Sequence, residues 1–201
     1  MMRLVRGVGV NDAGYPVTIR GVVDGSDKII WRCPVYRIWA DMLNRSYNHK
    51  RHQINPTYSD CYVVNDWLSF SIFRRWVLGQ DWKGKQLDKD ILTKGNKVYG
   101  PDTCVFVPAK LNTFMLDCGD SRGEHPTGVH LERDSGRFKA QCCNPFTRKK
   151  ENLGRFRCPQ AASEAWRARK HELACTYADM QTDPRIAAAL RSRYAPTGEC
   201  K

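Results

Sequence analysis

Along Gly136–Cys143 the sequence alternates two chemistries. In an extended chain Arg137, Lys139, Gln141 and Cys143 fall on one side, and Phe138, Ala140 and Cys142 on the other. A guanidinium, an ammonium and a carboxamide in series are groups that hydrogen-bond phosphate oxygens and the edges of guanine and adenine. The opposite side is apolar enough to pack on a helix. His130 and Glu132 on an expected preceding strand, Gly128–Leu131 and its end, extend the polar side, as does Asn152 on a following strand, Asn152–Phe156. Arg133, Lys149 and Lys150 add cations where these strands join. Gly154 allows close approach of backbone to sheet or ligand.

Nine cysteines suggest a second chemistry. Cys33, Cys61, Cys104 and Cys118 could converge on zinc, with His49 and His52 in reserve, but no CxxC pair is present to place two thiolates on one metal. Small buried side chains are the preferred reading. The odd count, the chain length and the absence of an apolar leader in Met1–Val10 argue against a disulfide scaffold and for reduced thiols in the cytosol. No run of 18 apolar residues exists to span a membrane.

The elements that must position these groups follow from periodicity. Residues 1–30 alternate weakly and suggest strands or an irregular arm. Cys33-Pro34 opens a helix in which Tyr36, Trp39, Met42 and Leu43 recur at helical spacing through Asn44. Tyr47–Pro56 reads as a basic, polar loop, and Trp67, Phe70, Ile72, Phe73, Trp76 and Val77 as the apolar positions of a second helix. Gln86–Leu92 and Cys104–Val107 read as strands flanking a Gly-containing loop, with Ala109–Leu116 a helix after Pro108. That order, strand, loop, strand, helix, outlines a ββα unit. Asp117–Thr127 carries turn residues without periodicity, so the chain divides near residue 120: a module over 1–118, a linker over 119–127 and a module over 128–201. In the second module Asp134-Ser135-Gly136 marks a hairpin turn, and Pro159 opens a helix with Ala162, Ala165, Trp166 and Leu173 on one face. Asp183-Pro184 starts a last helix through Tyr194. The fold class expected is α+β: an N-terminal helical segment with a ββα unit, then a three-stranded antiparallel sheet packed on a helix.

Thirty-three Lys and Arg against 21 Asp and Glu give a net charge of +12, and the cations are spread along the whole chain. That balance is unusual for a metabolic enzyme and common where the partner is phosphate.

The words GVHLERDSGRFKAQC, LGRF and AASEAWRARK resemble an APETALA2-type DNA-binding domain over about residues 126–175. The resemblance implies a three-stranded sheet laid in the major groove with a helix behind it. It also makes His130, Arg133, Arg137, Lys139, Gln141, Lys149, Lys150 and Asn152 the DNA-contacting set. Asn152 stands where that family often has Trp, so sequence preference does not transfer.

The words CPVYRIWADMLNRSY, DWLSFSIFRRW and LDKDILTKGNKVYGPDTCVFVPAKLN resemble phage-encoded HNH endonucleases of the homing type, many of which carry the same C-terminal domain. That resemblance implies a ββα-metal site with Mg²⁺ or another divalent ion. Asp88 takes the metal-ligand place, Asp90 could share the ion, Lys89 stands where a base histidine is usual, Thr103 where asparagine is usual, and Asn112 lies on the following helix. Asp is a hard oxygen ligand suited to Mg²⁺. Lysine as a type is a poor base at neutral pH and a good phosphate clamp. Two expectations follow. One is a metal-dependent endonuclease that nicks or cuts duplex DNA in the cytoplasm of a host cell. The other is a catalytically degenerate HNH-fold DNA-binding or regulatory phage protein, with a host protein as an alternative target.

Overall fold

The computed structural model describes residues 4–116 and 124–195. The chain forms two compact units, Met1–Pro108 and Ala109–Lys201. Both mix helix and strand, and no described helix is long and apolar enough to cross a membrane.

The first unit begins with an antiparallel hairpin, β1 (Thr18–Val23) and β2 (Ser26–Arg32). Helix α1 (Pro34–Tyr47) follows, with its proline in the first turn, where a missing N–H costs no hydrogen bond. Val35, Trp39, Met42, Leu43 and Ser46 form its buried face. The stretch expected as a loop contains a short helix, α2 (His49–Ile54), because the Asn48 side chain accepts from the Lys50 amide and caps it. After the two-residue strand β3 (Tyr62–Val63), the Ser69 hydroxyl caps α3 (Phe70–Leu78), which buries Phe70, Phe73 and Val77. The Trp39 indole donates to the Trp67 carbonyl at 2.7 Å, which lets a fully buried Trp satisfy its one polar atom.

Strand β4 (Lys85–Asp88) pairs antiparallel with β6 (Val105–Pro108), Leu87 opposite Phe106 and Asp88 opposite Val105. Between them β5 (Val98–Tyr99) pairs parallel with β3. Val105, Phe106 and Val107 are all buried, and Phe106 stacks on Trp76 with ring centroids 5.7 Å apart.

Helix α4 (Ala109–Met115) follows β6 directly in sequence but belongs to the second unit. Residues 117–123, which include Cys118 and the first five positions of the linker expected over 119–127, lie outside the described residues. Phe114 of α4 packs on Tyr177 and Tyr194 at 5.0 and 6.2 Å between centroids. The Lys170 ammonium lies 3.6 Å from the Phe114 ring centroid and donates to its carbonyl at 2.7 Å. Strands β7 (Val129–Glu132), β8 (Arg137–Cys143) and β9 (Lys150–Phe156) form a three-stranded antiparallel sheet in that order. Helix α5 (Pro159–Asp179) crosses one face, and α6 (Pro184–Arg193), capped by Asp183, folds back on α5.

Val129, Ala140 and Ala162 are the buried centre beneath the sheet, with Phe138, Leu153, Phe156 and Ala165 around them. Trp166 packs at the edge instead, against Gly128. Gly128 has φ +78°, and a Cβ there would collide with the indole and meet the Gln141 carbonyl at 2.8 Å. Gly128→Ala is therefore expected to destabilise the protein by about 1–3 kcal/mol. Chemical denaturation checks it; an unchanged midpoint would show that the indole relaxes freely.

Candidate nucleic-acid interface

The sheet has one covered and one open face, and β8 sorts its residues between them. Ala140 and Cys142 are buried and Phe138 is half-buried beneath, whereas Arg137 and Cys143 are exposed and Lys139 and Gln141 half-exposed on the other side. On β7, His130 lies opposite Lys139 and Glu132 opposite Arg137. On β9, Asn152 lies opposite Gln141 and Lys150 opposite Cys143. The structure thus brings His130, Arg137, Lys139, Gln141, Lys150 and Asn152 onto one open face. Arg133 sits in the β7–β8 turn and Lys149 just before β9, both exposed.

Arg155 belongs to this face and was not among the residues expected there. Strict alternation from Asn152 would turn Arg155 inward and Phe156 outward. The register instead pairs Gln141 with Asn152 and Ala140 with Gly154, leaving Leu153 as an extra residue. This bulge inverts the alternation, so Arg155 lies opposite Lys139 on the open face and Phe156 opposite Phe138 beneath. Gly154 has φ +120°, a conformation that only glycine adopts readily. The glycine was the one signal in the sequence that could have located the shift.

Glu132 is the one carboxylate among the strand residues of this face. It accepts from Arg155 Nε at 2.6 Å and lies 3.9 Å from Lys139 Nζ. The Arg155 hydrogen bond holds its carboxyl below the ordinary range. Beneath the sheet, Arg169 of α5 donates to Glu151 of β9 at 2.7 Å, and Asn144 donates to the same carboxylate. These contacts pin strand to helix from the covered side.

The expected nuclease residues divide between the units. Asp88, Lys89, Asp90 and Thr103 belong to the first, and Asn112, half-buried on α4, to the second. Asp88 Oδ1 accepts from the amides of Asp90 and Ile91 at 2.7 and 2.8 Å, closing the turn at the end of β4. Lys89 is buried, 5% exposed. Its ammonium donates to both Asp90 oxygens at 2.8 Å and to the Asn96 carbonyl at 2.5 Å, with the rings of Tyr58 and Tyr99 about 6 Å away. The Asn96 amide returns hydrogen bonds to the Lys89 and Val98 carbonyls, and the Thr103 hydroxyl donates to the Val98 carbonyl at 2.8 Å.

Two of these groups, Asp90 and Thr103, are already committed to contacts within the loop. Asp90 already faces an ammonium, which would repel a second cation at that spot. The Thr103 hydroxyl gives its proton to the Val98 carbonyl. Burial likewise removes Lys89 from the role of phosphate clamp. Among the described residues no three His, Cys, Asp or Glu side chains gather as a metal site. Cys33, Cys61 and Cys104 are buried free thiols, and burial pushes the Cys104 thiol up to about 12.

No family model, curated protein or solved structure matches this chain.

Burial is the largest influence on Asp88 and raises its carboxyl above the ordinary range, while the two amide hydrogen bonds pull the other way. A carboxyl raised on folding contributes stability at low pH that is lost as pH rises through its folded range. Asp88→Asn keeps the accepting oxygen and removes the buried charge. It is expected to match or exceed the parent in stability at neutral pH, with the advantage shrinking as the pH falls. Asp88→Ala loses both hydrogen bonds and is expected to cost about 1–3 kcal/mol. Urea midpoints of the three proteins at neutral and mildly acidic pH check the ranking.

Proposed function

We propose that this protein binds duplex DNA through the open face of the β7–β9 sheet. The observation that carries the reading is the collection of Arg137, Lys139, Arg155, Lys150, Gln141, Asn152 and His130 on one open, antiparallel face backed by a helix. A two- or three-stranded ribbon is narrow enough for the major groove. Arginine and lysine there serve phosphate and guanine, and the carboxamides of Gln141 and Asn152 serve adenine. Glu132 orients the Arg155 guanidinium across the sheet before any ligand arrives, which lowers the entropy lost on binding. The net charge of +12 supports the same partner. The sheet order and the backing helix accord with the resemblance to APETALA2-type domains.

In this reading the first unit is an HNH-like segment whose strand–loop–strand is closed by Lys89, and the protein acts by binding. The endonuclease reading rests on the resemblance of residues 87–112 to the homing-type enzymes. The loop geometry favours the degenerate alternative.

Fluorescence anisotropy with a labelled duplex over a range of salt tests the interface. Arg137→Ala combined with Lys139→Ala is expected to weaken binding by about tenfold or more, since a lost charged contact is typically worth ~1–3 kcal/mol. The salt dependence should also become shallower, with melting unchanged. Undiminished affinity in a folded double variant would defeat the reading. Supercoiled plasmid incubated with Mg²⁺, Mn²⁺ or EDTA separates binding from cleavage. The expected result is intact plasmid; EDTA-sensitive nicking that disappears in Asp88→Ala would restore the nuclease.

A further inference from the structure

The three-stranded sheet is stepped at one corner. Pairing of β7 with β8 begins at Val129, opposite Ala140, whereas β8 continues through Gln141, Cys142 and Cys143 beside β9. The turn Pro126–Val129, closed by the Val129 amide on the Pro126 carbonyl, and the Trp166 indole of α5 wall the notch that this step leaves. The notch has a volume of about 310 Å³ and shares His130, Gln141, Cys143 and Lys150 with the open face.

No Asp or Glu lines it. Among the described residues the side chains of Thr127, His130, Gln141 and Lys150 and the Trp166 indole N–H have no hydrogen-bond or ion-pair partner. Lys170, held at the Phe114 carbonyl, adds a fixed positive charge. Elsewhere on this sheet the charged groups are matched, Arg155 by Glu132 and Arg169 by Glu151. An aromatic wall, unused donors and acceptors, and cations without a carboxylate suit a ring that offers hydrogen-bonding edges and carries a phosphate. That is the chemistry of a nucleotide. The volume lies at the small end of ligand pockets, with room for one ring system, and a base held within a stacked pair cannot enter a recess. We propose that the notch receives one unpaired nucleotide of the bound DNA. Its base lies against the Trp166 indole, Thr127 and Gln141 meet the base edge, and Lys150 and His130 take the phosphate. The proposal rests on the open face being the duplex-binding surface, and the shared rim residues favour DNA over a free nucleotide as the source.

Fluorescence anisotropy of the full chain compares duplexes that differ at one position: fully paired, carrying an extra unpaired base, or carrying an abasic residue in its place. The duplex with the unpaired base should bind tightest, by about tenfold or more over the paired one, because its unstacking is met in advance. The abasic duplex keeps the phosphate and the flexibility and should lose most of that gain. Thr127→Phe fills the notch and should bring the unpaired-base duplex to the paired value, with paired binding and circular dichroism unchanged. Thr127→Val removes only the hydroxyl and should reduce the gain about threefold, which covers a Phe variant that fails to fold. Paired binding with no preference for the unpaired base overturns the proposal and leaves the duplex reading standing, whereas no binding to any duplex defeats both. An equal gain for the abasic duplex assigns the preference to flexibility and overturns the proposal, as does a gain that folded Thr127→Phe retains. Equilibrium dialysis with free deoxyadenosine monophosphate separates the two sources. Micromolar binding that Thr127→Phe abolishes would give the notch to a free nucleotide and overturn the assignment to DNA.

Discussion

One extra residue in β9 decides what the open face of the sheet can do. With Leu153 tucked into the core and Gly154 taking a backbone conformation closed to other residues, the chain recovers its alignment one position later. Arg155 then faces solvent and Phe156 the helix. Without the bulge, the same sequence would bury a guanidinium against Ala162 and expose a phenyl ring, which is unfavourable on both sides. The small side chains of Ala140 and Ala162 let α5 approach the sheet closely, and the Arg169–Glu151 pair holds the bulged strand to the helix. The open face is firm because the covered face is specified so tightly.

The first unit follows a different principle. Its aromatic core, with Trp39 and Trp67 fully buried and joined by an indole-to-carbonyl hydrogen bond, draws Tyr99 and Cys104 from the segment between β4 and β6. The loop it has is unusually polar for its depth. Lys89, Asp90, Asn96 and Thr103 satisfy one another and the surrounding backbone, which is the condition for keeping such groups away from water.

Much of this organisation was legible in the sequence. The strands and helices of the second unit appear within a few residues of where turn chemistry and period placed them, because Asp134-Ser135-Gly136, Pro159 and Asp183-Pro184 are strong local punctuation. The alternation along β8 survived intact. Four features did not show. The α2 helix is short, lacks an apolar face and is held by one Asn cap, so no periodicity announced it. The bulge was hidden because alternation has no memory across an inserted residue. The burial of Lys89 was hidden because its partners, Asn96 and the rings of Tyr58 and Tyr99, converge only in three dimensions. The placement of α4 with the second unit likewise depends on Phe114 finding Tyr177 and Tyr194, more than 60 residues later.

The positive charge that closes the β4–β6 loop is covalently part of the polypeptide. A metal-closed loop is in equilibrium with its surroundings: its occupancy follows the free ion concentration, competing ligands and the order of loading during synthesis. Lys89 is present at a fixed stoichiometry of one per chain from the moment the ribosome adds it, and no chelator can withdraw it. The charge that closes the loop therefore needs no loading step. Its arrival in the loop is part of folding itself.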